Sequence, residues 1–294
     1  MATLRELKGR IGSVASTEKI TGAMKMISSA KMHKAEGELH RLQPFRQQID
    51  TIIGNLLSSD ATFSSPLMEV PEVKKVALVA FGSDDGLCGA YNANMAKFVR
   101  SHIESLRDKY GLGVQVVLYP IGKKMEKALV KLVKDNTSMV GGLSVNSKSE
   151  GDAVRDFNDT LTSLFLNKEV DRVDLAYMNF RSISRQVAVA DQILPISQEM
   201  FAGSEGKKSV RPYLFEPDAQ SIFTTVLPMF LLATLTDVFC ESRASEQSAR
   251  VMAMQSANDN AKKLLEELRL QYNKLRQQAI TSELLDIVGG QIKE

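Results

Sequence analysis

Cysteine and histidine are scarce in this chain. Cys88 and Cys240 are the only cysteines among 294 residues, and His33, His40 and His102 the only histidines. Two cysteines give neither a disulfide framework nor a Cys-based metal pattern. Cys88 falls in a Gly-rich loop and Cys240 in an apolar helical stretch, so both are expected to be free thiols in a reducing compartment. The histidines do not cluster in sequence with acids or cysteines, so no zinc site is expected. A strong excess of one charge is also missing. The formal net charge is +2, which does not point to nucleic acid as a partner. An N-terminal secretory signal is not visible, because the first apolar stretch is periodic and interrupted by charge. The longest apolar run, 222–240, approaches the length of a membrane span. It contains Pro228 and Asp237, and reads instead as a buried or partner-covered helix segment.

What is present is helical periodicity at both ends. Apolar residues recur at Leu4, Leu7, Ile11 and Val14, then at Ile20, Met24 and Ile27, then at Leu39, Leu42, Phe45, Ile49, Ile52 and Leu56. Spacings of three and four keep such residues on one helix stripe. Thr3 followed by Glu6 has the pattern of a capping box, and Pro44 is expected to kink or break the helix. The C-terminal run from about Asp218 to Val288 repeats the pattern at Leu264, Leu268, Tyr272, Leu275 and Ala279. Small residues occur at Ala249, Ala253, Ala257 and Ala261, and Gly289–Gly290 offers a stop signal. At about 1.5 Å per residue the two runs measure roughly 80 and 105 Å. A domain of about 130 residues is only about 30–40 Å across, so the ends must leave it and pack on each other.

Charge is uneven along the first helix. Residues 1–34 carry Arg5, Lys8, Arg10, Lys19, Lys25, Lys31 and Lys34 against Glu6 and Glu18, a net +5. Such a helix suits an acidic protein, a membrane surface or nucleic acid, or is a solvated face. Gly9, Gly12, Gly22 and Gly37 each cost about 1 kcal/mol relative to Ala within a helix, which favours close packing against another surface.

The middle reads as an α/β domain. Lys75–Phe81 is a short apolar run suited to a buried parallel strand. Strands are expected at Val114–Tyr119, Arg172–Phe180 and Gln186–Leu194, and helices at about Asn94–Lys109, Lys123–Lys134 and Glu150–Leu166. This order suggests a mainly parallel sheet with helices on both faces. The loop Gly82–Asn92 follows a strand and precedes a helix, where doubly wound folds hold phosphates. Its glycines do not match G-x-G-x-x-G, it lacks a P-loop Lys-Ser/Thr, and Asp84 and Asp85 would repel phosphate. A tight turn is the favoured reading. No Ser/His/Asp or Cys/His set is suggested, so neither a catalytic site nor a cofactor site is expected. The expected division is residues 1–60 as the first helix, 72–200 as a Rossmann-like domain, 201–217 as a linker and 218–294 as the last helix.

Several segments resemble the gamma subunit family of rotary F-type ATP synthases. Leu4–Ala35, with the core T-x-K-I-T-x-A-M-x-M at Thr17–Met26, is similar to that family's first helix. Ala244–Leu264 and Tyr272–Gly290 are similar to its last helix, and Ser83–Asn92 to its S-D-x-G-L-C-G loop. Gln291 and Asp85 depart from the usual Ala and basic residue at those positions, and the cysteine pair of redox-regulated plastid members is missing. The resemblance implies a long antiparallel coiled coil of the terminal helices joined to a Rossmann-like α/β domain. It implies a non-catalytic central stalk, turning with a c-ring inside a hexamer of alpha and beta subunits and coupling rotation to ATP synthesis on beta. It also implies an epsilon partner, no nucleic acid, and attachment to a membrane only through partners, on the cytoplasmic face of a bacterial inner membrane. Carried over by motif, Met24, Arg250, Gln277, Thr281 and Glu283 would meet the hexamer, and Tyr213, Leu214, Phe215 and Glu216 would form the foot on the c-ring and epsilon. The alternative is a coiled-coil scaffold with a Rossmann-like domain.

Overall fold

The computed structural model describes residues 3–57, 63–134, 136–201 and 215–291. Two helices dominate, α1 (Leu4–Leu57) and α5 (Ala219–Gln291). The first begins as its sequence suggests. Glu6 N donates to Thr3 Oγ1 at 3.3 Å and Thr3 N donates to Glu6 Oε2 at 2.9 Å, so two N-terminal amides are satisfied reciprocally. A break at Pro44 does not occur, since α1 continues through it, and the Gly289–Gly290 stop fails, since α5 runs through it to Gln291.

The chain divides into two compact units, residues 30–249 and residues 1–29 with 250–294. The larger is built on five strands: β1 (Lys75–Phe81), β2 (Gln115–Ile121), β3 (Thr137–Met139), β4 (Arg172–Ser182) and β5 (Arg185–Leu194). Their order is β3-β2-β1-β4-β5. The first four are parallel and β5 pairs antiparallel to β4. Strand β3 was not expected from the sequence: at three residues, with a Thr-Ser-Met sequence, it has no readable alternation. Strand β2 extends through Pro120, which the sequence placed in a loop. Opposite Pro120 on the β3 side the ladder has already ended, since β3 reaches only to the partner of Leu118. The missing N–H therefore breaks no pairing.

The sheet is covered on both faces. One face, with Val76, Leu78, Ala80, Val116 and Leu118, packs against α2 (Tyr91–Tyr110) and α3 (Lys123–Leu129) through Met95, Val99, Ile103, Met125 and Leu129. The other, with Ala77, Val79, Phe81, Val117 and Leu175, packs against α4 (Asp152–Leu166) and against the parts of α1 and α5 in this unit. Ile49, Ile53 and Leu56 come from α1, and Phe223, Leu227, Leu231, Leu235 and Phe239 from α5. Phe81 and Phe239 meet edge to face with centroids 4.9 Å apart. The apolar start of α5 is thus a core helix. One stretch of α5 is long and apolar enough in composition to cross a membrane, but half of it is buried within the protein.

The smaller unit is a pair of antiparallel helix segments. Helix α1 leaves it at Ser29 and α5 enters it at Arg250. One row of covered positions on α1 is Leu4, Leu7, Ile11, Val14, Glu18, Thr21, Lys25 and Ser28; on α5 it is Val251, Met254, Asn258, Ala261, Leu265 and Leu268, continued by the half-buried Tyr272, Leu275 and Ala279. Both series alternate steps of three and four, the heptad pattern of a left-handed coiled coil. The seam corrects the sequence reading in two places. Beyond Val14 it follows polar residues rather than Ile20 and Ile27, with Met24 half-buried at its flank, and on α5 it takes Leu265 rather than Leu264, which is 44 % exposed.

Candidate partner-contact surface

The polar half of the seam is held by a side-chain amide. Asn258 Nδ2 donates to the Glu18 backbone carbonyl at 2.6 Å and lies 3.3 Å from Thr21 Oγ1. A methyl added at Gly22 would stand 3.4 Å from that nitrogen. Gly9, Gly12 and Gly37 have nothing within 4 Å of such a methyl, so of these four glycines only Gly22 serves close packing inside the chain.

Ile20, Met24 and Ile27 do lie on one stripe, but it is one residue, about 100°, away from the seam. Ile20 and Ile27 are 59 % and 56 % exposed, and neighbouring Met26 is 69 % exposed. Met24 is half-buried beside them. Sequence reasoning took this stripe for the seam because it is the more apolar of the two. The strict heptad counted from Leu4 would have exposed the error, since it lands on Glu18, Thr21, Lys25 and Ser28.

Gln277, Thr281 and Glu283 lie near the far end of α5, and all three are exposed. Thr281 Oγ1 donates to the Gln277 carbonyl at 2.9 Å. At 100° per residue, Gln277, Ile280, Thr281 and Leu284 share one face and Glu283 points away from it. Ile280 and Leu284 are 48 % and 57 % exposed. Arg250, at the other end of this α5 segment, is only 6 % exposed. Tyr213 and Leu214 lie outside the described residues. Phe215 packs partly buried against the core of the larger unit, and Glu216 is exposed.

The Gly-rich turn after β1 is filled by the protein itself. A methyl on Gly82 would sit 2.4 Å from Met125 Cβ. Asp84 Oδ1 accepts from Lys123 N at 3.0 Å, and its Oδ2 accepts from Ser147 N and Oγ at 2.9 and 2.8 Å. Asp85 pairs with Lys148 at 2.8 Å. These acids tie the turn to α3 and to the segment before α4. Two of the histidines also find acids, one three residues along the same helix and one across a helix–sheet contact. His102 Nε2 is 2.8 Å from Asp174 Oδ2, and His33 Nδ1 is 3.3 Å from Glu36. Among the described residues no three such groups converge as metal ligands. Both cysteines are free and buried, and burial pushes the Cys240 thiol up to about 11.

Within the larger unit α5 is gripped by polar contacts. Arg46 of α1 bonds Asp237, Asn179 Nδ2 of β4 donates to Glu241 Oε2 at 2.8 Å, and Tyr91 OH donates to the Ser242 carbonyl at 3.2 Å. Ser245 Oγ donates to the Met178 carbonyl at 2.8 Å, and Arg243 bonds Glu150 and lies 3.4 Å from Glu38.

The sequence profile described as ATP synthase matches residues 3–292. The ATP synthase gamma chain of Bacteroides fragilis is 42 % identical over 99 % of this chain and 99 % of its own length. That of Cupriavidus pinatubonensis is 36 % identical, again over 99 % of each. The chain belongs to the ATP synthase gamma family. As a gamma chain it is a non-catalytic subunit. The fold is similar to a chain in the Euglena gracilis mitochondrial ATP synthase structure titled OSCP/F1/c-ring, with a TM-score of 0.65 at 17 % identity, covering 98 % of this chain and 93 % of that one. A chain of the rotor structure from the same organism gives 0.63 at 18 % identity, covering 94 % and 98 %. The gamma-chain fold is therefore present.

Proposed function

We propose that this chain is the rotor of a proton-translocating F-type ATP synthase, coupling rotation of a c-ring to conformational change at catalytic beta subunits. The observation that carries this reading is the uncovered face of the helix pair. Ile20 and Ile27 form an apolar stripe that the pair leaves more than half exposed, with Met24 half-buried beside them, and near the far end of α5 Gln277, Ile280, Thr281 and Leu284 lie exposed on one side. Exposed apolar rows rimmed by polar residues mark protein contacts. A rod whose faces differ biases a multistate partner by touching it differently at each angle, which is what coupling requires.

Met24, Arg250, Gln277, Thr281 and Glu283 are assigned to contact with the alpha–beta hexamer. Tyr213, Leu214, Phe215 and Glu216 are assigned to the foot, against the c-ring and an epsilon subunit. Residues 1–60 and 218–294 then act as the shaft, 72–200 as the Rossmann-like body and 201–217 as the foot. The complex is placed on the cytoplasmic face of a bacterial inner membrane, with this chain peripheral and held through its partners. The test is reconstitution with alpha and beta subunits and a probe fixed to this chain. ATP hydrolysis without rotation of the probe relative to the hexamer rejects the reading. Glu283→Lys is expected to weaken coupling or assembly more than it changes the chain's own fold; unchanged ATP synthesis in that variant rejects the contact assignment.

A further inference from the structure

We propose that Glu241, where α5 crosses β4, is a proton-binding site: protonated, it forms a two-bond acid–amide pair with Asn179, and ionised it gives up one of those bonds. The geometry comes from the amide. Asn179 Nδ2 donates to Glu241 Oε2 at 2.8 Å, while Asn179 Oδ1 is buried without a donor among the described residues. A carboxylate has only acceptors to offer, so it cannot satisfy a second acceptor. A carboxylic acid has one O–H, and donating it to Oδ1 completes both sides of the amide. An unsatisfied buried carbonyl oxygen is costly, so the pair favours the neutral acid.

The surroundings act mostly in the same direction. Burial is the largest influence on Glu241, raising its carboxyl to about 7, and Asp237, one turn back on α5, adds to the rise. The Asn179 bond, Arg46 on α1 and Arg181 on β4 oppose it. Arg46 is engaged by Asp237 and lies beside Asp50, itself raised by burial. Tyr177 of β4 is held neutral by burial and by the Asp191 and Glu241 charges. Glu241 and Asn179 are themselves only half-buried, so solvent reaches the pair directly, and the site lies where α5 is fastened to the sheet.

Near neutral pH a small acidification therefore tightens the hold of β4 on α5. The test is isotope-edited infrared spectroscopy on the full chain with ¹³C-carboxyl glutamate. A protonated-carboxyl band is expected at about pH 6 and should vanish with a midpoint near 7, against about 4.3 for ordinary glutamates. Glu241→Gln should lack the band. If that variant does not fold, Asn179→Ala gives the assignment, because losing the pair must then lower the band's midpoint. A band with a midpoint near the ordinary value, one that survives Glu241→Gln, or one whose midpoint does not fall in Asn179→Ala overturns the proposal.

Discussion

Asn258 Nδ2 bonds the Glu18 carbonyl at 2.6 Å, a polar tie at a seam position where the heptad calls for an apolar residue. The Glu18 carbonyl also belongs to the α1 backbone ladder, so losing the tie orphans no acceptor. Asn258→Ala should then cost about 1 kcal/mol, the net worth of an ordinary hydrogen bond. Asn258→Leu should melt no lower than the native chain but lose register, as buried polar residues in coiled coils trade stability for alignment. Spin labels at Ile20 and Ala257 should report one sharp distance in the native chain and a broadened distribution in Asn258→Leu. A distribution that stays sharp would show that the register is set elsewhere.

The glycines give a second test. Gly9 and Gly12 have open space where a methyl would go. Gly9→Ala and Gly12→Ala should each stabilise the free chain by about 1 kcal/mol through helix propensity. If another subunit's surface approaches them closely, the same changes should weaken assembly with alpha and beta. Stabilisation without loss of assembly would mean that neither glycine serves a close contact.

Stability should depend on pH through Glu241. Its folded value, about 7, lies above the ordinary 4.5, so the folded chain binds the extra proton between these limits. The contribution is fully present below about pH 4.5 and is lost as pH rises through about 7. Since the side chain is only partly buried, the loss should be no more than about 1–2 kcal/mol after solvent screening. Melting temperatures of the native chain and Glu241→Gln should diverge as pH rises from about 4.5 to about 7 and stay apart above it, with the variant the more stable there. Identical pH profiles would refute the linkage.

Much of the architecture was legible because it rests on periodicities that local sequence carries. The capping box at Thr3 and Glu6, the buried run of β1 and the two terminal helices all follow from patterns of two, three or four residues. The errors arose where tertiary pairing decides. Which of two adjacent stripes on α1 becomes the seam depends on what α5 presents, and Asn258 selects Glu18 and Thr21 over Ile20 and Ile27. Strand β3 exists because β2 supplies its ladder. His102 and Asp174 meet across a helix–sheet contact that no sequence spacing announces. Of the residues proposed for contact, Gln277 and Thr281 share a helical face while Glu283 does not, a relation visible in the numbering alone. That Arg250 is buried is a consequence of packing, and only the structure shows it.

The uncovered stripe on α1 supplies the most direct test of the functional reading. Ile20 and Ile27 are more than half exposed and lie outside the heptad seam. Replacing both with glutamine removes little buried area from the free chain, so its stability should stay within about 0.5 kcal/mol of native. An apolar patch kept on the surface without a role in folding has its use in binding. The double variant should therefore keep its melting temperature and helix content but co-assemble poorly with alpha and beta subunits. Glutamine at Lys8 and Arg10, on the same helix, provides a charge-only control for the basic start. If the Ile20 and Ile27 variant assembles and turns as the native chain does, the stripe is not part of the bearing, and the exposed residues near the far end of α5 must carry the contact.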